Sequence, residues 1–220
     1  MKKIIFLFLF SAAVAQEPVQ PADQLSAGQE ILYIQRLLEK GRSNIVREIL
    51  EFPFYENDHY PKGDVIDETS KSQYYYHAHR EGEHGHFHVF YKEKGKKPVH
   101  LVAISMDSRG VPIGLFTTNR WVTGEEWHSA DEICKLLPHF QIELPHPSWL
   151  ANRWVTAMVR LFYPQIVKLV HLRDKKIAEW MRAHPGSDVY EDRDLEITSE
   201  MTISVENQVA AVHTKVQKKL

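Results

Sequence analysis

The chain has 220 residues, 43% of them hydrophobic and 25% charged, with a formal net charge of −2. That length suits one hydrophobic core, and the balance of charge lacks the basic excess that binding nucleic-acid phosphates requires. Cys134 is the only cysteine, which excludes an intrachain disulfide.

At the start, Lys2 and Lys3 form a short positive segment, Ile4 to Phe10 an apolar run, and Ala13-Val14-Ala15 a small-x-small site. The pattern predicts a signal peptide over residues 1–15, cleaved between Ala15 and Gln16, and a periplasmic or secreted address. The apolar run is too short to span a bilayer, so no stable membrane span is expected after cleavage. Losing two lysines and no acids brings the remaining chain to −4. Residues 16–24, rich in Pro, Gln and Ala, are expected to be a flexible lead-in, and residues 25–220 one domain.

Ile31, Ile34, Leu37 and Leu38 recur at helical spacing up to Gly41, and Ser43 offers a cap for a second short helix through Val46, Ile49 and Leu50. Residues 52–70 read as an aromatic and acidic loop. Gln73 to Tyr91 has the alternation of a hairpin, with Arg80-Glu81-Gly82-Glu83 as its turn. Val99 to Met106 and Val111 to Thr118 read as a second hairpin about Asp107-Ser108-Arg109-Gly110. Thr123 with Glu126, and Ser129 with Glu132, have capping-box spacing. The second pair opens a helix whose apolar stripe includes Cys134, read as a buried small hydrophobe.

Ser148 caps a helix through Leu150, Trp154, Met158 and Leu161, and Pro164 breaks it before a further helix over 166–184. A late strand through Leu195, Ile197, Met201 and Ile203 and a terminal helix over 205–218 complete the pattern. The fold class is α+β, an antiparallel sheet of two hairpins plus a late strand, covered by helices. Asn-Arg-Trp-Val-Thr occurs at 119–123 and 152–156, but the flanks differ, so this is coincidence and not duplication.

Five of the 13 histidines fall within twelve residues: His77, His79, His84, His86 and His88. Side chains alternate across a strand, so a four-residue turn would set His79 opposite His84, His77 opposite His86 and Tyr75 opposite His88, all five histidines on one face. Directly opposed Cβ atoms lie about 4.5–5.5 Å apart, close enough for imidazoles to share an ion. The reverse face would carry Tyr76, Ala78, Phe87 and Val89. Imidazole suits Zn, Cu, Ni or Fe, and Glu81, Glu83 or Asp58 could add an oxygen. Nothing in the spacing ties His59 or His100 to the cluster.

The run Tyr74 to Phe90, with its Glu-His-Gly-His-Phe-His core, followed by His100 to Glu125, resembles an uncharacterised bacterial family, domain of unknown function 6969. No activity comes with that resemblance. His77-x-His79 with Glu83 also resembles the first metal motif of cupins, β-barrels that bind metal through His and Glu. The second motif fails, because Thr117 stands where its histidine belongs.

Three readings follow. The first is an exported protein holding a divalent transition metal, or a metal-held small ligand, on the histidine hairpin. The second is a metal-dependent enzyme, a hydrolase or cupin-like oxygenase, with Glu81 or Glu83 as base and Arg120, Trp121 and Trp127 near its pocket. The third is an interaction module of the cell envelope that binds no metal and uses residues 52–60 and the histidine face.

Overall fold

A computed structural model describes residues 19–218. The predicted signal peptide lies outside them. Six strands, β1 (Tyr60–Asp67), β2 (Ser72–His77), β3 (Gly85–Tyr91), β4 (Val99–Met106), β5 (Pro112–Thr118) and β6 (Ile197–Thr202), form one open antiparallel sheet, each beside its neighbour in sequence. Six α-helices accompany them among the described residues: α1 (Pro21–Lys40), α2 (Arg120–Thr123), α3 (Ala130–Leu136), α4 (Trp149–Leu161), α5 (Tyr163–Ala183) and α6 (Val205–Gln217). The class is α+β.

Alternation divides the sheet into two faces. Tyr74, Tyr76, Phe87 and Val89 point toward the helices and join the main core. The Phe87 ring lies 5.6 Å from that of the buried Trp154 on α4, and the Tyr74 hydroxyl donates to Asn152 Oδ1 at 2.6 Å. Asn152 in turn donates to the carbonyls of Leu144 and His146, which moors the segment before α4. Gly28 lets α1 approach α6, since a Cβ there would fall 2.5 Å from Val209. Such a contact leaves no room for a side chain.

The β4–β5 turn forms at Asp107–Gly110 as expected, with Gly110 at φ 78°. Ser129 and Glu132 make the predicted capping box of α3, and Ser148 caps α4. Cys134 is half-buried on α3 and packs against the core; burial raises its thiol pKa.

Four expectations change. The 52–70 stretch is not all loop, because its second half is the edge strand β1, whose pairing with β2 jumps between Tyr60 and Val65. Pro61 and the positive φ of Gly63 and Asp64 make that bulge and break the alternation that would reveal a strand. The lead-in is shorter than expected, since α1 starts at Pro21, where a missing N–H costs a helix nothing, and Gln24 is already buried. Residues 45–49 form turns and not a helix; Asn44 Oδ1 accepts from the Arg47 N–H, and Ile45, Val46 and Ile49 are buried. Thr123 caps nothing, because Asn119 caps the short α2 and Gly124 ends it at φ 61°.

Candidate metal centre

The second face of the sheet carries the histidines. Between β2 and β3, Tyr75 pairs with His88 and His77 with His86, the register expected from the hairpin. Across β3 and β4, His86 stands opposite Ser105 and His88 opposite Ala103. On β5, Gly114 lies opposite Ser105. These small neighbours leave room for imidazole rings on a face where larger side chains would crowd them.

The rings converge. The Nε2 atoms of His77 and His86 are 2.7 Å apart, those of His86 and His88 are 3.1 Å apart, and one nitrogen from each of the three rings lies within 4.8 Å of the others. His86 and His88 are buried and His77 is partly buried.

Outer partners determine which nitrogen points inward. Glu83 accepts a short hydrogen bond from His86 Nδ1, and Arg80 stands 3.8 Å from the same carboxylate. Burial raises the pKa of Glu83, but bonds from His86 and Ser105 and the charge of Arg80 outweigh it and hold the carboxyl below its ordinary value. An ionised Glu83 can only accept, so the His86 proton sits on Nδ1 and the Nε2 lone pair faces the other rings. His88 repeats the arrangement. Its Nδ1 lies 3.0 Å from His100 Nε2, and His100 Nδ1 is 3.4 Å from the Thr118 hydroxyl.

Burial lowers the His77 pKa to about 2, helped by the neighbouring His86, His79 and His59, and that of His100 to about 3, helped by Arg173. It also lowers His86 and places His88 well below its ordinary value. Neutral imidazoles with inward lone pairs are the form that binds metal.

Not every predicted ligand joins. His84 leaves the face: its Nδ1 meets the Tyr76 hydroxyl at 2.6 Å and its ring stacks on Phe54. The cause is the connection, which runs over residues 78–84 and is longer than the four-residue turn expected. Strand alternation resumes only at Gly85, where a Cβ would collide with Tyr76 and the His77 carbonyl. His79 is exposed, its ring centroid 4.7 Å from that of His77 and 5.1 Å from that of His86. Glu81 is exposed, and Glu83 is committed to His86.

His59 and His100, unlinked by sequence spacing, both reach the site. His59 stacks on Tyr75 at 3.6 Å and holds Asp64 through Nδ1 at 3.0 Å. His100 arrives through an irregular register between Val89 and Phe90, which a strict two-residue period does not foresee. Glu125 was missed as well. It accepts from the His100 backbone N–H at 2.7 Å, and burial pushes its carboxyl up to about 8 against the pull of Arg173.

Arg120 bonds Asp188 and Glu191, Trp121 donates to the Leu195 carbonyl, and Trp127 lies under Arg173. These contacts are structural. A groove of about 410 Å³ runs beside Glu83, lined by Arg80, Ser105, Phe116, Glu200 and their neighbours, and the three converging histidines are not among its walls.

A family described as a domain of unknown function, DUF6969, matches residues 25–203. The chain belongs to this family. The match contains all six strands of the DUF6969 sheet and every histidine of the cluster. No curated protein and no solved structure matches the chain. The cupin comparison does not survive, because the sheet is open and Thr117 bonds Thr198 and Ser199 on β6. No described helix is long and apolar enough to cross a membrane.

Proposed function

We propose that this DUF6969 protein is exported and captures a divalent transition metal on His77, His86 and His88. The observation that carries the reading is the convergence of three ring nitrogens, two of which, on His86 and His88, have their opposite nitrogens occupied by Glu83 and His100. Metal-bound histidines are typically held in this way, one nitrogen on the ion and the other donating to a carboxylate or another acceptor. Without an ion the arrangement is frustrated, because the single Nε2 lone pair of His86 faces two nitrogens at 2.7 and 3.1 Å. Tetrahedral binding at about 2.0–2.1 Å puts ligand nitrogens roughly 3.3 Å apart, so an ion would need to spread these by only tenths of an ångström. The nitrogen-only ligand set suits Zn, Cu, Ni or Fe.

Export rests on the Lys2-Lys3, Ile4–Phe10 and Ala13-Val14-Ala15 pattern. One preparation tests both parts: untagged protein isolated from the envelope of its native cell, with its metal content measured and its N-terminus sequenced. One equivalent of metal and a chain beginning at Gln16 are expected. Metal-free protein that gives no heat with Zn, Cu or Ni in calorimetry would remove the capture reading, and an intact Met1 would remove export.

A further inference from the structure

We propose that His79 is the fourth ligand, swinging in from the β2–β3 connection to close the centre over its ion; this rests on metal binding by His77, His86 and His88. The His79 ring meets both His77 and His86 nearly edge-on, at interplanar angles of 76° and 77°. It is exposed where the inner rings are covered, so it stands at the solvent side of the cluster.

The other nearby histidines are committed. His84 is held by Tyr76, His100 by His88, and His59 by Asp64 and the Tyr75 ring. Among the described residues, no hydrogen bond reaches either ring nitrogen of His79. The next residue is anchored: Arg80 donates to Glu200 at 2.7 Å and lies 4.6 Å above the Phe116 ring. His79 therefore reaches the ion through its own side-chain torsions, with the sheet left as it is.

A fourth imidazole changes what the centre does. Three protein ligands leave a position for water or substrate, as catalytic sites do, whereas four close the shell. With His79 bound, the ion is cargo, and His79 is the ligand through which it enters and leaves. The groove beside Glu83 then needs no connection to the ion.

Cobalt(II) added to untagged protein distinguishes the outcomes, with visible absorption read before and after azide and affinity measured by competition with a chelator. Wild-type protein should take one equivalent, show a strong four-coordinate band and ignore azide. H79A should bind at least about tenfold more weakly, in the range seen when a ligand's support is lost, and its band should shift with azide as the vacated position fills. H59A should keep the wild-type azide response. Wild-type protein that binds cobalt and responds to azide, or H79A with wild-type affinity and spectrum, overturns the proposal and leaves three-histidine capture standing. Wild-type protein that binds no cobalt ends both.

Discussion

Glu83 accepts from His86 Nδ1, and that contact fixes the nitrogen that His86 presents to His77 and His88. The carboxylate comes from the turn and the imidazole from β3, so the connection that ends the hairpin also orients the central ring of the cluster.

Substituting Glu83 should therefore weaken metal binding without removing a ligand. E83A is expected to lower affinity about 10–100-fold, and E83Q, which keeps a carbonyl acceptor, to lower it less. Calorimetric titration with zinc measures both. Equal affinity in E83A and wild type would show that Glu83 does not orient His86.

His100 supports His88 from β4 in the same way, but within the protein. H100L leaves the His88 Nδ1–H buried without an acceptor, at a cost of about 1–3 kcal/mol in stability. Urea unfolding of metal-free protein should show that loss, and H100Q, with a side-chain carbonyl, should recover part of it. If H100L and H100Q unfold alike, the contact with His88 contributes little.

The hairpin register was legible in the sequence because two rules agree there. A period of two places Tyr75 and His77 on one face, and a register centred between Glu81 and Gly82, which the four-residue turn implies and the longer connection keeps, sets them opposite His88 and His86. His84 was misplaced because the period applies only inside a strand, and β3 begins at Gly85. His100 was illegible for a related reason, since the irregularity between Val89 and Phe90 changes the register by which β4 meets β3. In β1, Pro61, Gly63 and Asp64 gave loop signals that were locally correct, and only pairing with β2 makes that segment a strand.

Acid and alkali should destabilise the metal-free protein for different reasons. His77 and His100 titrate near 6.5 when unfolded but are lowered by burial to about 2 and about 3. Below pH 6.5 the unfolded chain therefore binds protons that the folded chain does not, and stability falls until the pH passes the folded values. Glu125 has the opposite sign, its pKa raised from 4.5 to about 8. Between those values the folded state holds a proton that the unfolded state has released, so this contribution falls as pH rises and stops changing above about 8. His86 and His88, also lowered by burial, act in the same direction as His77 and His100, and together these histidines outweigh one carboxyl where the windows overlap, which places the maximum close to neutral, at about pH 7. Denaturant midpoints in the presence of a chelator should be lower on both sides of that value, and a curve rising steadily to pH 8 would contradict the burial of Glu125.

On the helical face, the Tyr74–Asn152 hydrogen bond joins β2 to α4 within the main core. The Tyr74 ring is fully buried, and burial pushes its hydroxyl well above the ordinary tyrosine value, so it stays protonated and donates. Y74F keeps the ring packing against Phe87 at 5.8 Å but leaves Asn152 Oδ1 without its donor. The expected cost is about 1–3 kcal/mol, whereas Y74A, which also opens a cavity, should cost about 3–5 kcal/mol. Because His77 and His88 lie on the opposite face, Y74F should leave zinc affinity unchanged while it lowers the urea midpoint. A loss of affinity equal to the loss of stability would mean that the two faces are coupled through β2 and that the histidine geometry depends on how the strand is seated on α4.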